Sequence, residues 1–221
     1  MRVLLFGATG MVGQGVLREC LLHSSVNEVI AIGRNAIPQQ SPKLRQIVRS
    51  DLFDLSDLDT ELAAIDACFF CLGVSSVGMT EAEYRRITLE LTTVTAQRLA
   101  GLNPGLIFIY VSGAGTDSSE RGRSMWARIK GKTETTLLRL PIKAAYMFRP
   151  GVIVPLHGIR SKTPVYRWFY IALTPLLPFL ERTFPKYVTT TERIGRAMLR
   201  VARVGTAKRV LETSDINLLG E

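Results

Sequence analysis

The amino-acid sequence predicts an α/β protein: a doubly wound parallel sheet with helices on both faces and a small helical cap near the C-terminus. Short apolar runs recur at "VLLF" (3–6), "VIAI" (29–32), "RQIV" (45–48), "ACFFCL" (67–72), "LIFIYV" (106–111) and "AAYMF" (144–148). Most are continuous rather than alternating, as befits strands covered on both sides. Helical patterns separate them, and that alternation implies right-handed crossovers within one parallel sheet.

The elements follow in order. After the first strand, "MVGQGVLRECLL" puts Val12, Val16, Leu17, Cys20 and Leu21 on one helical stripe. In "DACFFCLG" the cysteines have redox-motif spacing, but on a buried strand Cys68 and Cys71 point to opposite faces and read as small core residues. The next helix opens at Thr80 with Glu83 three residues on, the capping-box pattern. A further helix covers about 123–139. The texture then changes. Residues 164–185 are aromatic, apolar and broken by prolines, and the apolar run Trp168–Leu180 has only 13 residues. A membrane-spanning helix needs about 20. This region reads as a cap, roughly 155–190, over a pocket, with an oligomer surface as the alternative. Thr189 and Glu192 suggest another capping box, opening an amphipathic helix that ends near Gly205, and "KRVLET" suggests a last strand. The length suits one domain spanning 1–221, as a monomer or homodimer.

Charge is uneven. Residues 1–120 hold 9 Lys and Arg against 13 Asp and Glu; residues 121–221 hold 19 against 6. The basic residues are spread through helical and apolar segments, and no nucleic-acid motif accompanies them. A solvated basic face with an anionic ligand is expected, with no nucleic-acid partner and peripheral contact with an anionic membrane as a lesser option. Three cysteines and no signal-peptide pattern lead to the expectation of a cytoplasmic protein without disulfides. No cluster suggests a metal.

The strongest chemical signal is "VLLFGATGMVGQGVL". Gly7, Gly10 and Gly13 lie three apart between a strand and a helix. Gly7 permits the tight turn, Gly10 lets the backbone approach a pyrophosphate, and Gly13 lets helix pack on strand. The free N–H groups of the helix start then face the phosphates. This is the Rossmann-like fingerprint, in its required strand–turn–helix context. In such folds an acidic residue about 20 positions on usually binds the ribose 2′-hydroxyl. Here the second strand ends "AIGRN", with Arg34 instead. An arginine pairs with a 2′-phosphate, so NADP is expected ahead of NAD. Arg2, Lys43 and Arg45 are further candidates for the same anionic site.

Taken with "GR" after the second strand, "SDLFD" after the third, "CLG" after the fourth, "VSGAG" after the fifth and "FRPGVI" after the sixth, the chain resembles the short-chain dehydrogenase/reductase superfamily. The resemblance is to its atypical and extended branch, the NAD-dependent epimerase/dehydratase-like proteins that include relatives of the Tat-interacting protein and of the nitrogen-metabolite-repression regulator. It covers roughly the first 155 residues best. It implies a strand order 3-2-1-4-5-6 and cofactor contacts from Gly7, Thr9, Gly10, Met11, Val12 and Gly13. By the same resemblance Asp51 and Leu52 sit by the adenine, and Cys71, Leu72 and Gly73 line the ribose. Pro150, Gly151 and Val152 close over the nicotinamide. Ser112 aligns with the serine that orients a substrate carbonyl, and Lys130 with the lysine that holds the nicotinamide ribose.

One departure matters most. The family pattern is Tyr-x-x-x-Lys; this chain has Trp126-x-x-x-Lys130, and no tyrosine occurs from 111 to 145. Indole cannot donate or accept the proton that accompanies hydride transfer. Thr88 stands where extended members often carry an asparagine. Three readings follow: reduction of a small, apolar substrate with Ser112, Lys130 or water replacing the tyrosine; loss of catalysis in an NADP-binding sensor that meets a protein partner; or a proton from the cap side, where His157 is the candidate. His23 reads as a charge on the first helix's C-terminus, and Trp126 as a packing residue or a flat wall for substrate.

Overall fold

The computed structural model describes residues 1–159 and 186–221. Its main sheet has seven strands: β1 (Arg2–Phe6), β2 (Glu28–Gly33), β3 (Leu44–Val48), β4 (Ala67–Phe70), β5 (Ile107–Val111), β6 (Ala144–Arg149) and β9 (Val210–Glu212). They pair in the order β3-β2-β1-β4-β5-β6-β9, every pair parallel. The expected 3-2-1-4-5-6 order holds, and the strand expected from "KRVLET" extends it beside β6.

Continuous apolar runs suit this sheet because side chains alternate between two covered faces. In β1, Val3 and Leu5 enter one core while Leu4 and Phe6 enter the other. The first core packs against α1 (Met11–Leu22), α6 (Thr191–Val204) and α7 (Thr213–Leu219); the second packs against α2 (Asp59–Leu62), α4 (Leu91–Leu102) and α5 (Met125–Leu138). Cys68 and Cys71 divide between the two faces as expected, and all three cysteines are free thiols. Burial pushes the thiol pKa of each upward, which disfavours the reactive thiolate. On the second face Phe70 lies 5.2 Å from Phe6 and 5.8 Å from Phe108, ring centroid to centroid.

Before α4 the chain forms α3 (Glu81–Arg85), with the Thr80–Glu83 capping box complete, and then a π-helical turn, Arg86–Glu90. Two further features differ from the sequence expectation. A separate pair of parallel strands, β7 (Val152–Val154) and β8 (Val188–Thr190), occupies the base of the expected cap. The cap of α6 is Thr190, whose hydroxyl accepts the Arg193 N–H, and not Thr189. Thr189 is the middle residue of β8, so its hydroxyl is buried and lacks a partner among the described residues. The aromatic segment 164–185 lies outside the described residues. Among those described, no helix is long and apolar enough to cross a membrane, and no acidic, histidine and cysteine cluster could hold a metal.

α1 and α6 cross closely because small residues meet there. A Cβ on Gly15 would lie 2.6 Å from Thr191, and one on Gly195 2.7 Å from the Glu19 side chain. Glu19 is buried at this crossing and is neutralised by Arg18 and Arg196.

Candidate functional site

The β1–α1 turn is shaped by its glycines. Gly7 has φ +81°, and a Cβ there would lie 2.6 Å from the Cys71 backbone. A Cβ on Gly13 would lie 2.1 Å from the Gly7 carbonyl oxygen. The Gly10 N–H donates to the Gly7 carbonyl at 2.9 Å, closing the turn. Gly10 is also the N-cap of α1. No side chain caps that end and the first turn holds no acidic residue, so its N–H groups remain available to an anion.

The turn opens into a cavity of about 620 Å³ at the carboxyl ends of the strands. Gly7, Thr9, Gly10, Met11, Arg34, Asp51, Leu52, Cys71, Leu72 and Gly73 line it together. Val12 and Gly13 do not line it; Gly13 acts behind the turn, where α1 presses on Gly7. Arg34 is exposed and makes no ion pair among the described residues. The other proposed cations are elsewhere. Arg2 pairs with Glu28, Arg45 with Glu61, and Lys43 donates to the His23 carbonyl. These three sit toward the amino ends of the strands, which in a parallel sheet is the opposite edge from the cavity. Phe53 and Arg86 also line the cavity and escaped the sequence reading.

A second group gathers at the ends of β5 and β6. Ser112 is buried, and its Oγ lies 2.9 Å from Thr116 Oγ1. Lys130, on α5, donates from Nζ to the Ser112 carbonyl at 3.2 Å, and to the Val111 carbonyl and the Tyr110 hydroxyl at 3.4 Å each. Burial pushes the Lys130 pKa down to about 8, against an opposing pull from Glu134 one helical turn away. Tyr110 lies one residue outside the tyrosine-free stretch. It is only 1 % exposed and faces the second core, so burial raises its phenol pKa and shuts it off from substrate.

Trp126 packs with Tyr84, Leu89 and Ile129, and its ring lies against Gly115. This is a packing role, on the loop that follows Ser112. Pro150, Gly151 and Val152 lie beside that loop. The Ala114 N–H donates to the Pro150 carbonyl at 3.0 Å, and the Gly151 N–H to Thr213 Oγ1 at 2.9 Å. Arg149, immediately before them, forms a two-pronged bond to the buried Glu134 of α5 and also reaches Ser118. This ties the 150–152 segment to the helix that carries Lys130. His157 does not join this group. Its Nε2 is paired with Glu192 on α6, and it lines a separate hollow with Gln14 and Arg18. His23 Nδ1 accepts the Ser25 N–H, tying the turn after α1.

The sequence model of the NAD dependent epimerase/dehydratase family matches residues 3–116. The chain belongs to that family. It is an atypical member of the short-chain dehydrogenase/reductase superfamily. "Protein FMP52, mitochondrial" of Chaetomium globosum is 26 % identical over 98 % of this chain and 96 % of its own length. "Leucinostatins biosynthesis cluster protein T" of Purpureocillium lilacinum is 29 % identical over 90 % of this chain and 83 % of its own. Among solved structures, MoeE5 in complex with UDP-glucose and NAD superposes with a TM-score of 0.68 at 20 % identity, covering 96 % of this chain and 75 % of that one. UDP-glucuronic acid 4-epimerase from Bacillus cereus, in complex with UDP-glucuronic acid and NAD, gives 0.67 at 16 % identity, covering 96 % and 76 %. These likenesses agree with the fold. The expected cytoplasmic location is overturned, because relatives from several fungi are named as mitochondrial proteins. A charge and signal-pattern argument had no access to that relationship.

Proposed function

We propose that this family member binds NADP(H) across the carboxyl edge of its sheet and acts as an oxidoreductase on a small, apolar substrate. One observation carries the reading: the uncapped start of α1, set by Gly7 and Gly13, opens into a cavity that also presents Arg34, which makes no ion pair among the described residues. Backbone N–H groups and the helix dipole hold a diphosphate there. Arg34 offers its planar fork to a ribose 2′-phosphate, where a carboxylate would repel it. When bound, the nicotinamide would supply hydride transfer.

The chain's own residues supply the rest. Pro150 and Gly151 wall the nicotinamide side. Ser112 orients an oxygen of the substrate once its hydroxyl leaves Thr116. Lys130, with its pKa lowered to about 8, holds a proton at neutral pH and gives it up more readily than a solvated lysine, so it serves as the acid where Trp126 cannot. The second reading, an NADP-binding sensor without catalysis, is favoured by the packing of Trp126 and by a Lys130 Nζ turned onto backbone carbonyls. NADPH oxidation across a panel of aldehydes, ketones and quinones separates the two. Turnover that disappears in Lys130→Ala supports the enzyme. Tight NADPH binding without turnover on any member supports the sensor.

A further inference from the structure

The π-helical turn Arg86–Glu90 sits in the middle of an otherwise regular helical run from Glu81 to Leu102. Such a turn adds one residue to a helical repeat, which changes which side chains face which neighbour, and it is common at functional sites. Here it divides the helix between two tasks. Tyr84 and Leu89 pack toward Ile129 of α5, and the Thr88 carbonyl accepts the hydroxyls of Thr92 and Thr133. Arg86, Ile87 and Leu91 turn the other way and line the large cavity.

Arg86 is exposed, yet its guanidinium lies 4.9 Å from the centroid of the Phe53 ring. It makes no ion pair among the described residues, whereas its neighbour Arg85 pairs with Glu90, and Arg98 further along pairs with Asp59. Phe53 follows Asp51 and Leu52, and all three line the same cavity. The Asp51 carboxylate accepts the Phe53 N–H at 2.8 Å and so fixes the turn that presents the ring. The result is a guanidinium over an aromatic ring at the cavity wall, with no carboxylate among the described residues pairing with it. A guanidinium in this state stacks readily on a further flat π-system.

We propose that Arg86, backed by Phe53, is a stacking wall for the adenine ring, and that it sets affinity for adenine nucleotides without choosing between NADP and NAD. The inference rests on the dinucleotide reading of the cavity and assigns a role different from that of Arg34. Arg34 sits after β2, where the ribose is expected; Arg86 comes from the helix after β4 and faces the Asp51–Phe53 turn. A stacking contact is felt by any ligand that carries adenine. A phosphate contact is felt only by the 2′-phosphorylated one.

The test is calorimetric titration of wild type, Arg86→Ala and Arg86→Lys with NADPH, NADH, ADP and reduced nicotinamide mononucleotide. Circular dichroism checks that the variants remain folded, and Arg86→Lys guards against a helix effect by keeping a long basic side chain. The expected result is that Arg86→Ala weakens NADPH, NADH and ADP by a similar factor, about three- to thirtyfold for a stacking cation. The mononucleotide, which lacks adenine, is unaffected. Arg86→Lys keeps the charge but loses the flat stack, and falls close to Arg86→Ala. Three outcomes overturn the proposal: unchanged affinities in Arg86→Ala, a loss confined to NADPH, or full rescue by lysine. Failure of wild type to bind any dinucleotide or ADP instead removes the reading of the cavity itself.

Discussion

The two halves of the carboxyl edge of this sheet are built by different means. Over β1 to β4 the cavity is shaped largely by backbone: a positive φ at Gly7, the contact of Gly13 with the Gly7 carbonyl, and the bare start of α1. Over β5 and β6 the site is a set of side chains holding one another: Lys130 on Tyr110 and two carbonyls, Ser112 on Thr116, Arg149 on Glu134. The contrast shows why the first half announces itself in the sequence while the second does not. A missing Cβ has no substitute, so the glycines admit few alternatives. A hydrogen-bonded set can be rebuilt with other residues, and Trp126 beside it packs with Tyr84, Leu89 and Ile129.

The largest expected effect tests the side-chain half. Glu134→Ala leaves the Arg149 guanidinium without its buried partner and should cost about 3–5 kcal/mol of stability, read from urea unfolding. A loss under about 1 kcal/mol would mean that the 150–152 segment is not held through this pair. The backbone half comes next. Gly13→Ala puts a methyl against the Gly7 carbonyl and should cost about 2–3 kcal/mol while also weakening NADPH binding, because the α1 start must shift. Unaltered binding would detach the turn from the ligand.

Arg34→Ala sharpens the comparison further. It should weaken NADPH by about ten- to a hundredfold, the scale of a charge-assisted hydrogen bond, and leave NADH nearly unchanged. Equal loss for both removes the preference for NADP. The smallest effect is a pH slope. Lys130 loses its proton near pH 8 in the folded protein but near its ordinary 10.5 when unfolded. Between those values the unfolded chain holds the Lys130 proton and the folded protein does not, so this group alone raises stability with pH from about 8 toward 10. The buried thiols of Cys20, Cys68 and Cys71, which ionise first when unfolded, act against it over the same range and outweigh it, so the net slope is downward. Above 10 the raised pKa values of Tyr84 and Tyr110 add to the fall, since the unfolded phenols ionise first. Lys130→Met should make the fall in stability between about pH 8 and 10 steeper; an identical slope in that variant would place the titration elsewhere.

The same contrast explains what could be read from the chain itself. The six expected strands were legible because runs such as "VLLF" must fill both faces of one sheet, their order followed from the family resemblance, and the glycine turn was legible because its spacing answers a steric demand. The β7–β8 pair was not, since three-residue strands carry no periodicity. Thr190 displaced Thr189 as the α6 cap because β8 fixes which hydroxyl faces the helix start, a tertiary constraint absent from the local pattern. Arg86 was hidden by a π-helical turn that no residue pattern announces. Tyr110 lay one residue outside the stretch in which a tyrosine was sought, and its contact with Lys130 joins a strand to a helix 20 residues on.

Every ligand effect above depends on the free amides at the start of α1 holding a dinucleotide diphosphate. Isothermal titration of the wild-type chain with NADP(H) and NAD(H) tests it most directly. Saturable one-to-one binding is expected, tighter for the 2′-phosphorylated pair. No heat of association with any of the four, at protein concentrations that would detect a millimolar dissociation constant, would contradict it.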